Sequence, residues 1–412
     1  MLKLKLTAAT ALCALAFATA AHAECGIEKG SVRILSNDFE ALRIVNDEAL
    51  KCASGTVQVT KNETTEHKNI QVAALTVNPA QYTVAVVANN SIVPLLNADL
   101  VRPLDDLVAK YGADLQPTQL IKVDGKTVAV AFMGNAQHLM FRRDILEQAG
   151  VQPPKSYEDV LAAAKAIKDK GLMQYPLAAS DKAGWDLAAE FVNMYLGLGG
   201  EFFQAGSAAP AINNEKGVQA LSMMKAMTEY MAPEYMSVDA LEMNKLYQGN
   251  QVAIMNQWGS LAGAVIDEKG AAPDIAKETT LAAAPTIGGG TTPAVALWWD
   301  GFAIAKNVSD EDAEASFRAM VYGSRPEVGQ AHATNATWLT KDYKPGANTV
   351  GVLATAQGGA KAYPMQPTMG IMHTALGNEL AEFMQGRESA EDALRDTEAA
   401  YTAAAREGGY LN

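Results

Sequence analysis

Short apolar runs alternate along this chain with stretches whose apolar positions recur every three to four residues. "SVRILSNDF" (31–39) reads as a strand running into a loop. Residues 39–52 place Phe39, Leu42, Ile44, Val45, Ala49 and Leu50 at helical spacing. "GTVQVTK" (55–61) alternates and reads as a strand, and "YTVAVVANN" (82–90) as a buried strand that stops on two asparagines. Strand, helix and strand in this order predict βαβ units, an α/β fold and a mostly parallel sheet. In such sheets the loops at the carboxyl ends of the strands form the binding crevice, and Asn37, Asp38, Asn89, Asn90 and Ser91 fall in those loops.

Further on, "DGKTVAVAFMGNAQHLMFRRDILEQAG" (124–150) is a turn, a strand, a Gly134-Asn135 interruption, and a second apolar run leading into a helix. A strand that continues past such an interruption can pass from one domain to the next. Ser156 with Asp159 three residues later predicts a capped helix that Gly171 ends. Helices are also expected over 213–231, 309–323 and 389–409, the last two with the same Ser-x-x-Asp start. "APTIGGGTTPA" (284–294) is the loosest segment, and the strand-like "VALWWDGFAIA" follows it.

The ends and the composition set the compartment and the partners. Lys3 and Lys5, an apolar stretch over 6–20 and "AHA" (21–23) make residues 1–23 a secretory signal peptide, with cleavage between Ala23 and Glu24 and the periplasm as destination. Beyond it, Cys25 and Cys52 form an even pair in an exported chain and are expected to be joined as a disulfide. Loss of Lys3 and Lys5 leaves the mature chain two charges more negative than the formal −13. So acidic a chain, with no basic cluster, repels phosphate backbones, which argues against nucleic acid as a partner. The length predicts two domains.

Catalytic chemistry is hard to find. His67, His138, His332 and His373 are scattered, and H-E-x-x-H, C-x-x-C, G-x-S-x-G and phosphate-cradling loops are all lacking. Glu40, Asp300 or Glu190 remain open as a general acid or nucleophile. What does cluster is tryptophan among amides and carboxylates: Trp185 in "KAGWDLA", Trp258 in "MNQWGS", and Trp298 and Trp299 before Asp300 in "ALWWDGF". Sugars present apolar C–H faces that stack on such rings and hydroxyl rims that need polar partners. "GNQVAIMNQWGS" (249–260) shows the pattern best, a short buried strand that stops at Asn256, Gln257 and Trp258. Strand alternation turns one of Trp298 and Trp299 inward and the other outward without saying which. The Met223, Met224, Met227 and Met231 stripe reads as core packing.

Taken in order, these segments resemble the extracellular solute-binding proteins of ABC importers, in the sugar-binding group that includes maltose-binding protein. The likeness is carried by "LVRPLDDLVAKYG" (100–112), by "DGKTVAVAFMGNAQHLMFRRDILEQAGVQPPKSYEDVLAAAKAIKDKG", by "YQGNQVAIMNQWGS", by "ALWWDGFAIAKN" and by "AEFMQGRESAEDALRDTEAAY". It implies a two-lobed periplasmic-binding-protein fold of discontinuous domains, joined by hinge crossings around a ligand cleft. Residues 24–134 and 299–335 would form one lobe, 135–298 and 336–412 the other. The first crossing falls near Met133–Ala136, and the second near Trp298–Asp300. Asn89, Asn90, Ser91, Asn135, Trp258 and the segment Trp298, Trp299 and Asp300 would then lie at the cleft and hinge.

The function expected is capture of a mono- or oligosaccharide, without cofactor or metal, by a monomer that delivers it to a membrane permease. Two alternatives stand beside it. Carboxylates crowding the aromatics would make a box for a polyamine or other cation, and a positioned acid pair would make a secreted carbohydrate-active enzyme. The maltose-type cleft often carries charges where this chain has Asn90 and Ser91, so the sugar is not specified.

Overall fold

A computed structural model describes residues 25–411, so the expected signal peptide and its cleavage site lie outside the described residues. The strands are β1 (Gly30–Ser36), β2 (Val57–Glu63), β3 (Val84–Ala88), β4 (Leu120–Val123), β5 (Lys126–Asn135), β6 (Gln137–Arg142), β7 (Leu177–Ala178), β8 (Ile254–Trp258), β9 (Thr279–Ala282), β10 (Ala296–Ile304), β11 (Thr337–Trp338) and β12 (Lys361–Ala362). They form two sheets. One runs β11-β5-β10-β3-β1-β2, with β4 on β5 and β12 on β10; the other runs β7-β8-β6-β9.

The expectation of a mostly parallel sheet is corrected. β2, β1 and β3 are parallel, but β10 enters antiparallel between β3 and β5, and β6 pairs antiparallel with both β8 and β9. The cause is long-range. β10 returns to the first sheet from the far side of the molecule, so its direction is set by a crossing and not by a local βαβ unit. The helix starts follow the local signals closely. Ser156, Ser309 and Ser389 accept the N–H of Asp159, Asp312 and Asp392, each at 3.1 Å.

Each sheet carries its own core. One packs Val32, Ile34, Leu42, Val86, Phe132, Phe302, Phe317 and Trp338; the other packs Phe141, Tyr157, Phe191, Tyr195, Ile254, Trp298, Leu380 and Tyr401. The chain passes between them at Ala136, where β5 of the first sheet is followed after one residue by β6 of the second. It passes again within β10, where consecutive side chains divide. Trp298 packs into the second core and Trp299 against the first. Thr337 and Trp338 pair with Gly134 and Met133, on the first sheet.

Cys25 and Cys52 are joined, with their Cα atoms 5.4 Å apart. The bridge ties the start of the described chain to the end of helix 40–50 and closes a loop of 27 residues. Cys25→Ser with Cys52→Ser is expected to lower unfolding free energy by roughly 2–4 kcal/mol, read from urea unfolding; an unchanged midpoint would contradict this.

Candidate functional site

Between the two cores lies a cleft of about 290 Å³, and the elements lining it come from both. Each wall has a local reason for its shape. Gly184 adopts φ 102°, a conformation open to glycine, and launches helix 185–197 with Trp185 as its first residue. β8 ends at Trp258, which caps helix 259–265. In β10 the register with β5 slips between Asp300 and Gly301. At Gly301 a β-carbon would stand 2.3 Å from the Val130 carbonyl oxygen, so glycine permits the close approach. This bulge lies beside Asp300, which lines the cleft.

Three indoles form the cleft's aromatic wall. Trp185 and Trp258 stack with centroids 6.5 Å apart, and Trp298 stands 5.8 Å from the first and 5.9 Å from the second. Trp185 is 39% exposed, whereas Trp298 is 9% exposed and backed by Tyr363 at 4.2 Å. His373 holds this arrangement from behind. Its Nε2–H donates to the Trp185 carbonyl, and its Nδ1 accepts the Tyr363 hydroxyl, both at 3.0 Å. Burial depresses its pKa to about 4, so the ring is neutral.

The polar wall is mixed in charge. Lys68 reaches from the first lobe to lie 5.2 Å above the Trp185 ring. The surrounding walls push its ammonium below its ordinary range, and Asp300 and Asp186 pull it back up. Burial raises Asp300 to about 7, against the pull of Lys68. Asn135 fixes the crossing: its Oδ1 accepts the N–H of Ala136 at 3.0 Å and of Ser260 at 3.2 Å, while its Nδ2 donates to the Ser260 hydroxyl.

Of the residues singled out in the sequence, the structure brings Asn37, Asn90, Asn135, Trp185, Trp258, Trp298 and Asp300 to the cleft. The others sit elsewhere. Asp38 pairs with Arg43 on the surface. Asn89 is buried, its Oδ1 accepting the Trp299 N–H at 2.8 Å. The Ser91 hydroxyl caps its own helix by accepting the Ala88 N–H at 2.8 Å. Trp299 turns to the first core. Sequence reasoning missed Lys68, His67, Ser260, Phe39 and Leu261, which also line the cleft. Ser260 closes the "MNQWGS" segment, whose position could have pointed to it; the other four stand in no distinctive local pattern.

Behind the indoles runs a buried polar network. Gln137 Nε2 donates to Glu190 Oε1 at 2.8 Å, and Gln137 Oε1 accepts from Asn193 at 3.0 Å and Asn256 at 3.1 Å. Asn193 Oδ1 in turn accepts the Ala296 N–H at 2.9 Å. Glu190 and Asn193 lie on the helix that Trp185 opens, Gln137 is paired in register with Trp258, and Ala296 begins the strand that carries Trp298. Burial, reinforced by the charge of Asp181, pushes the Glu190 carboxyl well above the usual carboxylate range.

These shifts give a pH prediction. Burial raises Asp181 and Asp300 to about 7 and Asp186 to about 6. Carboxyls with raised folded pKa values contribute stability below their unfolded values and lose it as pH rises through the folded ones. His67, His138 and His373, each lowered to about 4 by burial, act oppositely, losing stability as pH falls from 6.5 towards 4. The two effects offset each other below pH 6.5, and above it the carboxyls act alone. The melting temperature is therefore expected to fall between pH 6.5 and 8, with Asp181 contributing about 1 kcal/mol. Asp181→Asn should flatten this slope; an unaltered slope would contradict the assignment.

Comparison with known proteins fits this architecture. Residues 56–330 match the family described as bacterial extracellular solute-binding protein. The chain belongs to that family. A solute-binding protein of Agrobacterium radiobacter in complex with ribitol superposes with TM-score 0.77 at 18% identity, covering 91% of this chain and 98% of that one. A maltose-bound MalE of T. maritima gives 0.75 at 17%, covering 91% and 99%. A solute-binding protein of Agrobacterium vitis with bound D-mannitol gives 0.74 at 19%, covering 93% and 100%. The two-lobed fold is thereby shared. An uncharacterised ABC transporter extracellular-binding protein of Pyrococcus horikoshii is 28% identical over 85 residues, a match that spans 20% of this chain and 20% of that relative. Among the described residues, no helix is long and apolar enough to cross a membrane.

Proposed function

We propose that this protein captures a neutral polyhydroxylated solute, a polyol or a mono- or oligosaccharide, in the interlobe cleft and delivers it to the permease of an ABC importer. The observation that carries the reading is the wall of Trp185, Trp258 and Trp298 facing Lys68, Asp300, Asn37, Asn90 and Asn135. Indole faces suit the C–H faces of a sugar, and amides with one donor cation and one acid suit its hydroxyls. The ribitol, mannitol and maltose held by proteins of the same fold support this chemistry.

The cationic-solute reading is disfavoured by Lys68, which places a like charge in the cleft, and by Asp300, whose raised pKa weakens its charge near neutrality. For the enzyme reading, Asp300 alone of Glu40, Glu190 and Asp300 lines the cleft. Glu190 is buried beneath Gln137, while a glycosidase needs two facing carboxyls. The lobes we assign are 24–134 with 299–335, to which the short strand Thr337–Trp338 adds by its pairing with β5, and 135–298 with the remainder of 336–412. They would close on the solute as a monomer in the periplasm, after cleavage at Ala23.

A thermal-shift screen of residues 24–412 against sugars, polyols, polyamines and amino acids tests the reading. Saturating solute, at 100 times its dissociation constant, should stabilise by ~2.7 kcal/mol. A polyol or sugar that shifts the melt and is recovered intact supports it. Shifts by polyamines alone, or a chemically altered sugar, would overturn it.

A further inference from the structure

A second cavity, of about 460 Å³, lies along one face of helix 89–97. Val93 and Pro94 of that helix wall it on one side, and Tyr363, Pro364, Ile371 and Tyr410 on the other. Val93 belongs to the first core, and Tyr363 and Ile371 to the second, so this groove too is built by both lobes.

Two features place it beside the cleft. Asn90 lines both cavities, and its buried Oδ1 meets no hydrogen-bond partner among the described residues. Trp298 on the cleft side and Tyr363 on the groove side lie ring against ring. Near its other end, Asn97 donates to the Pro367 carbonyl at 3.2 Å and to the Tyr410 hydroxyl at 3.0 Å.

The chemistry changes along this path. The cleft offers indole faces together with Lys68, Asp300 and Asn135, whereas the groove offers mainly aliphatic and aromatic carbon. A sugar ring pushed into the groove would leave hydroxyls unpaired, which costs free energy; an apolar substituent would not. We propose that the ligand is amphipathic, a glycoside whose hydroxylated head occupies the cleft and whose apolar aglycone lies in the groove. Asn90 Oδ1 accepts a hydroxyl at the junction. This inference rests on the sugar reading above. An aglycone so placed touches both lobes, and its binding selects their closed arrangement.

The test is calorimetric titration of residues 24–412 with methyl and hexyl glycosides of glucose, galactose, mannose and maltose. The result expected is that at least one hexyl glycoside binds tenfold or more tightly than its methyl partner, because its added methylenes leave water. That ratio should collapse towards one in Ile371→Asp and in Tyr410→Ala, the second variant truncating a side chain at the exposed end of the groove. Equal methyl and hexyl affinities would overturn the amphipathic ligand and leave the sugar reading standing. A hexyl advantage that survives both variants would overturn it too, since the tail then lies elsewhere. Binding of none of these glycosides would overturn the amphipathic ligand, while the sugar and polyol reading stands or falls with the thermal-shift screen.

Discussion

Trp258→Ala is expected to weaken solute binding by roughly 100-fold or more, with a smaller effect on stability. The indole stands at the end of β8, half-buried, with Trp185 and Trp298 as ring neighbours and the cleft in front of it. Truncation removes a face on which a sugar or polyol would bury carbon, and 100-fold is about 2.7 kcal/mol of that contact. Trp299→Ala is the internal contrast. Its ring packs on the first core, so it should lower stability while affecting affinity less. Calorimetry and urea unfolding on both variants separate the two effects. If Trp258→Ala left affinity intact and lowered stability by ~3–5 kcal/mol, the ring would be a core plug and not a ligand wall.

Gln137→Ala should be the most destabilising single change near the site, by roughly 3–5 kcal/mol. Its amide serves Glu190, Asn193 and Asn256 at once, and all four side chains are buried. Removing it leaves a buried carboxyl and two amide groups without those partners, each of which carries a desolvation penalty. The same change loosens the link between the helix of Trp185, the strand of Trp258 and the strand of Trp298. Affinity is therefore expected to fall as well, even at temperatures where the variant remains folded. A loss near 1 kcal/mol in urea unfolding would show that the network is replaceable by water.

Much of this architecture was legible in local sequence, because its causes are local. The Ser-x-x-Asp helix starts, the apolar runs of β3 and β8 and the interruption at Gly134-Asn135 each bear their signal within a few residues. The cleft itself was half legible. Trp185, Trp258, Trp298 and Trp299 stood out as aromatics among amides and carboxylates, and strand alternation set Trp298 and Trp299 on opposite faces without saying which was which. Which ring faced the cleft depended on which core each strand face met, a long-range fact. Asn89 and Ser91 occupy the expected loop, yet their side chains bond backbone groups, which a sequence does not display. Lys68 gave no sign at all, since a lysine at the start of a helix is ordinary until the fold places an indole across from it. The antiparallel insertion of β10 was hidden for the same reason. One clue was available and unused: Glu190 sits inside the apolar run "DLAAEFVNMYLG", where a carboxyl must be either paired or protonated.

Of the five tryptophans in the chain, Trp185, Trp258 and Trp298 line the cleft, so the solute should be visible in indole emission. The most direct measurement is a fluorescence titration of residues 24–412 with the polyol or sugar that shifts the melt. The expected result is a saturable change in intensity or wavelength, with a midpoint matching the calorimetric affinity and moved roughly 100-fold higher in Trp258→Ala. Calorimetric binding with no change in emission would mean that the solute does not touch these rings, and the cleft described here would not be its site.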